Sequence, residues 1–317
     1  NNAINYNEIY DQLMQLTLCV YTPSNYIFPS KLQKYKDLTH NKGENLTQTG
    51  RERGIQRLMS INLLKRLESS VNSFQLTLTR IKELINGTIE AINRFEKYGS
   101  DDISMYEASR DDWDIDDENT EFFTVGKKVK IELADMDWKS WRNELQQDAD
   151  VLELLTLMVA DITPEHDTKL QELLRLLDEK ITNPINPNNK KVLIFSAFSD
   201  TAEYLYDHVS MYMKDKYGLN TAVITGTIDG RTTIKDFPAT LNNVLTCFSP
   251  VSKDRDVLMP TSSNEIDILI ATDCISEGQN LQDCDYLINY DIQRMRSDNS
   301  EGELITLAVV KVRLSIW

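Results

Sequence analysis

The sequence predicts an α/β fold, a parallel sheet flanked by helices, preceded by a mostly α-helical region. Two observations carry this prediction. From Lys191 onward, four short apolar runs, VLIF, TAVI, IDILIA and YLINY, alternate with longer stretches of helical character. Strands alternating with helices imply a parallel sheet built from right-handed crossovers. Before Lys191, apolar residues recur instead at steps of three and four, which is the spacing of one helix face.

In chain order, the apolar positions Leu67, Val71, Phe74, Leu78, Ile81 and Ile85 lie on one face of a long amphipathic helix that starts near Arg51. The spacing continues through Ile89, Ile92 and Phe95, with Asn86-Gly87 as the place for a kink or break. Packing alone explains such a stripe. Next comes SDDISMYEASRDDWDIDDENTEFF, residues 100–123, whose density of like charge reads as a solvated, mobile loop. It lacks the spacing and closing Glu of an EF-hand calcium loop.

Helical spacing returns near Trp138 and runs through VLELLTLMVADI. TPEHDTKLQELLRLLDEK follows, with Thr163 placed as N-cap and Pro164 at the first helical position. NPINPNN breaks that helix. KVLIFSAF is then a buried strand, and DTAEYLYDHVSMYMKDKYG is a helix ended by Gly218. NTAVITG is a second strand, GRTTIKDFPATL opens a further helix, and EIDILIATD and DYLINYD are the third and fourth strands. This organisation divides the chain into a helical accessory region, residues 1–160 with the acidic loop, and an α/β domain, residues 161–317.

The 317 residues, 41% of them hydrophobic, suffice for two packed units. A formal charge of −16 argues against wrapping nucleic acid over the whole surface, but leaves room for a local phosphate track. Cys19, Cys247, Cys274 and Cys284 show no C-x-x-C spacing, and none of the three histidines lies near a cysteine. No disulfide framework or metal site is expected, and reduced thiols point to the cytoplasm. No apolar run reaches the ~18 residues of a membrane span, and the N-terminus has no signal-peptide core. The first residue is Asn rather than Met, which reads as a fragment of a longer protein.

VLIFSAFSDTAEYL, VITGTIDGRTTIKDF and ILIATDCISEGQNLQDCDYLINYD stand in an order and spacing that resemble the C-terminal RecA-like lobe of superfamily 2 helicases. The Swi/Snf-like DNA translocases are the nearest likeness. DTKLQELLRLL is similar to the helix that leads into that lobe, and LLKRLESSVNSFQLTL to a segment between the two lobes. The resemblance implies a RecA-like sheet, ATP and Mg as cofactors, and DNA and an N-terminal RecA-like lobe as partners.

Residue by residue, it implies nucleic-acid contacts from Ser196, Gly226, Arg231, Thr272 and Ser276. Glu277, Gly278 and Asn280 would belong to the loop that closes on the nucleotide. The physical reading agrees, because ligands of open α/β sheets bind beyond the carboxyl ends of the strands. Thr272 follows a strand directly, so its hydroxyl and N–H suit a phosphate oxygen. Gly278 permits close backbone approach. Capping of the following turn is the alternative role for Asn280, a strand-end hydroxyl for Ser196, and a surface cation for Arg231.

Two departures stand out. The family follows its last strand with a Gln-Arg-x-Gly-Arg-x-x-Arg helix whose arginines stabilise charge on the γ-phosphate. Here IQRMRSDNS leaves only Arg294 and Arg296 as arginine candidates. No G-x-x-x-x-G-K-[ST] loop occurs either. ATP and Mg would therefore be held mainly by the N-terminal lobe, and the chain by itself should not turn over ATP. The competing reading is a RecA-like domain without catalysis, docking proteins through its long helix. A Rossmann domain is disfavoured, because FSAFSD stands where its glycine-rich turn would be.

Overall fold

The structure, a computed structural model, describes residues 6–36, 48–99, 102–105, 129–226, 230–272, 274–275, 279–291 and 308–311. They fall into two compact units, one drawn from residues up to Asp161 and one from Ile162 onward.

The first unit is helical. Its helices are α1 (Tyr6–Leu13), α2 (Leu32–Lys36), α3 (Gln48–Ser69), α4 (Val71–Tyr98) and α5 (Trp138–Val159). The single long helix read from the apolar stripe is in fact two. Ser70 is extended, and its side chain accepts a hydrogen bond from the Ser73 N–H, so it caps the start of α4. Apolar periodicity runs straight through this cap because Leu67 and Val71 still share a face, which is why spacing alone conceals it.

Gly87, expected as a break, lies inside α4, which ends instead at Gly99 with φ 75°. The stripe is core: Phe74, Leu78, Ile81, Ile85 and Ile92 are buried. α4 packs against both α3 and α5. Asp148 on α5 ties down the chain after α1, accepting from the N–H groups of Thr17 and Cys19 at 2.8 and 3.0 Å.

Strand β1 (Asp102–Met105) pairs antiparallel with β2 (Val129–Glu132). The start of the acidic segment, expected as a loop, is thus ladder-bonded. The rest of it lies outside the described residues.

The second unit carries a six-stranded sheet. Its strands are β3 (Val192–Phe195), β4 (Thr221–Ile224), β5 (Arg231–Thr232), β6 (Ile268–Ala271), β7 (Tyr286–Asn289) and β8 (Ala308–Lys311), in the order β5-β4-β6-β3-β7-β8. The four central strands are parallel, and the two edge strands are antiparallel to their neighbours.

Alternation along the strands builds two cores. Val223, Ile270, Ile194 and Ile288 face α6 (Thr168–Thr182) and α7 (Ser199–Tyr217). Ala222, Leu269 and Leu193 face the other way, onto α8 (Leu241–Phe248). A last single turn, α9 (Arg255–Leu258), precedes β6.

Two local expectations are corrected here. The side chain of Asp167, not Thr163, caps α6, accepting from the N–H groups of Lys169 and Leu170 at 3.1 and 3.0 Å. A carboxylate that reaches two orphan donors outcompetes a hydroxyl four residues earlier. Arg231 does not open a helix either: it pairs with Val223 as β5, and the helix waits for Thr240 as its cap. Gly230 lets the Ala239 backbone approach closely, since an added Cβ there would collide with the Ala239 carbonyl oxygen. Gly218 ends α7 with φ 68°.

Candidate nucleic-acid and nucleotide edge

The four parallel strands end in register. Ile224 pairs with Ala271, Ala271 with Phe195, and Phe195 with Asn289. The next residue of three of them extends the ladder by one bond. The Thr272 N–H donates to Ile224 O at 3.3 Å, Ser196 N–H to Ala271 O at 3.0 Å, and Tyr290 N–H to Phe195 O at 2.8 Å. Thr225, Thr272, Ser196 and Tyr290 thus form one row on the α6/α7 side, all buried. A row of hydroxyl-bearing residues underlies the carboxyl edge of the sheet, where open α/β folds bind ligands.

The structure brings Ser196, Thr272 and Gly226 to this edge, and the side chains of Ser196 and Thr272 are buried there. Thr272 is fully buried, its N–H is used by Ile224, and its Oγ1 has no hydrogen-bond partner among the described residues. Burial of the hydroxyl and the bond from its N–H to Ile224 leave neither group turned to solvent.

Ser196 is also buried, and its Oγ donates to Asp291 Oδ2 at 2.6 Å. The same oxygen of Asp291 accepts from the Ala197 N–H at 2.7 Å. The other oxygen, Oδ1, lies 3.6 Å from Lys169 Nζ. That ammonium sits over the Tyr290 ring, 4.1 Å from its centroid. Gly226 is exposed at the end of β4.

Arg231 is half-exposed on the edge strand, paired with Asp207 at 2.9 Å and stacked 4.7 Å over the Tyr206 ring. Its surface-cation role accounts for everything the structure shows of it. Asn280 stands apart from the edge. Its amide donates to Ser252 O at 3.2 Å, within a turn whose Val251 and Ser252 N–H groups bond the Asp283 carboxylate. The Asp283 carbonyl in turn accepts from Asn189, beside the amino ends of β3 and β7. The Asn280 amide is thus spent on a turn 28 residues earlier in the chain. Ser276, Glu277, Gly278, Arg294 and Arg296 lie outside the described residues.

Sequence reasoning missed Lys169 and Asp291. Asp291 closes the INYD run and had a visible signal, a carboxylate placed at a strand end. Lys169 had none, since nothing local says that the start of α6 meets the end of β7. Among the described residues no cluster of three metal-ligating side chains occurs, and no helix is long and apolar enough to cross a membrane.

A search of curated proteins finds no match to this chain. Residues 168–305 match the family model of the helicase conserved C-terminal domain, which supports a helicase C-terminal lobe in this stretch.

Proposed function

We propose that the chain supplies the C-terminal half of an ATP-dependent DNA helicase or translocase of the Swi/Snf-like branch. It would form one wall of the ATP cleft and part of the nucleic-acid backbone track. The observation that carries this reading is the helicase match falling on a sheet whose four parallel strands end in one aligned row. ATP with Mg supplies the phosphoryl chemistry when bound. The sequence carries no phosphate loop, and in this reading an N-terminal lobe holds ATP and Mg. Arg294, Arg296, Glu277 and Gly278 are this chain's contribution to the cleft, and Gly226, Ser276 and the β3 and β6 strand ends its contribution to the track.

The test is phosphate release by the chain joined to a lobe that carries the phosphate loop, with and without DNA. Stimulation by DNA supports the reading, and equal rates with and without DNA refute it. The rival reading, a docking module built on the long helix, loses its surface, because the apolar stripe of α4 is buried within its own unit.

A further inference from the structure

In the helical unit, the junction where α4 stops and α5 starts gathers aromatic rings and cations. Phe95 meets the Trp138 ring edge-on at a centroid distance of 6.0 Å, which joins the two helices. The Arg142 guanidinium and the Lys139 ammonium each lie 5.3 Å from the centroid of Trp138. One turn past Phe95, Tyr98 closes α4 with 68% of its surface exposed, and the Lys97 ammonium stands 5.0 Å from its ring.

Packing accounts for Phe95 and Trp138 but not for Tyr98. Gly99 ends the helix directly after it by donating back to Phe95 O at 2.8 Å, so the ring stands on a capped helix end. A lone exposed ring is ordinary. Two neighbouring rings, each with an ammonium close by, are a binding chemistry.

The charges at this junction are unevenly spent. Glu96 is taken by Arg142, which also donates to Asn93 Oδ1 at 2.9 Å. Asp137 caps α5, accepting from the Ser140 N–H and hydroxyl at 3.2 and 2.8 Å. Lys97 and Lys139 are both exposed and form no ion pair among the described residues. An open aromatic face beside unpaired ammonium groups stacks a base and holds its phosphates, as single-strand binding requires. A duplex hides its base faces, so the arrangement suits an unpaired strand. In a chain of net charge −16, a polyanion is held only through such a local cluster.

We propose that this junction is a stacking platform for single-stranded nucleic acid, with Tyr98 as the base-facing ring and Lys97 and Lys139 as phosphate contacts. Trp138 and Arg142 hold the junction in shape. The contact tolerates any sequence, since every base has a stacking face. The inference deepens the motor reading and rests on it for the source of the strand. It gives the helical unit a grip on that strand that needs no ATP, in addition to the track on the sheet.

The test is anisotropy of a fluorescein-labelled oligothymidylate titrated with this chain in the absence of ATP. Wild type is expected to bind, and Tyr98→Ala to bind about tenfold more weakly. Tyr98→Phe should bind as wild type does, because stacking needs the ring and not the hydroxyl. Replacing both Lys97→Gln and Lys139→Gln should reduce the slope of log affinity against log salt by about 1.4, near 0.7 for each phosphate contact.

No binding by wild type, or binding that Tyr98→Ala leaves intact, overturns the platform and assigns the junction to a protein partner. A loss that Tyr98→Phe shares overturns it too, because stacking is then not the contact. The motor reading fails separately. A joined protein whose ATP hydrolysis ignores DNA, while oligothymidylate binding still depends on Tyr98, removes the motor and keeps the platform.

Discussion

Lys180 on α6 and Asp285 before β7 form a fully buried ion pair, with Nζ 2.6 Å from Oδ1. Lys180 also donates to Asn189 O at 2.9 Å, and Asn186 donates to the second oxygen of Asp285 at 2.8 Å. The NPINPNN segment that breaks α6 is thereby pinned under the amino ends of β3 and β7. Removing one partner leaves the other charge buried and uncompensated. Lys180→Met should therefore destabilise the second unit by about 3–5 kcal/mol, read from urea unfolding. A loss below ~1 kcal/mol would mean that water reaches Asp285.

The two-helix arrangement of α3 and α4 sets opposite signs for two substitutions. Gly87 sits inside α4 with nothing within 4 Å of an added Cβ, so Gly87→Ala should stabilise the first unit by about 0.5–1 kcal/mol. Ser70→Ala removes the cap and should cost about 1 kcal/mol. Circular dichroism melts of both variants check the pair. A loss of stability in Gly87→Ala would restore the kink that spacing suggested.

These two positions show where the sequence was legible. The central strands, the Gly218 end of α7 and the helical first unit follow from period, glycine and apolar runs, all of which act within a few residues. The Ser70 cap, the Asp167 cap and β5 were hidden, because each is decided by which of several nearby polar groups wins a backbone donor or a strand edge. At the candidate site, position was readable and partnership was not. Ser196 and Thr272 stand at the edge as expected, but Asp291, distant in sequence, takes the donors of the β3 turn.

Acid should act on the first unit through Asp135. Hydrogen bonding from Lys34 is the main cause that lowers its carboxyl to about 2, against opposing burial, with Tyr35 and Lys31 adding to the lowering. Because the folded value lies below the ordinary ~4 of a carboxylate, the ionised group stabilises the fold above that pH. The contribution disappears as pH falls from ~4 towards 2. Lys34→Met should move the acid-unfolding midpoint of this unit upward. An unchanged midpoint would show that the Asp135 cluster does not control acid stability.

Thr272 tests what the strand-end hydroxyl does. Its Oγ1 is buried without a partner, a state that ordinarily costs about 1–3 kcal/mol. Thr272→Val, of equal shape, should leave the melting temperature unchanged or raise it. A drop of several degrees would show that the hydroxyl caps the loop.

The central claim is that this chain is half of a nucleic-acid motor, and steady-state phosphate release tests it most directly. The chain alone, with saturating ATP, Mg and DNA, should release none. Joined to a lobe bearing the phosphate loop, it should hydrolyse ATP at a rate that DNA raises. Hydrolysis by the chain alone that survives repeated purification, or a joined protein indifferent to DNA, would contradict the account.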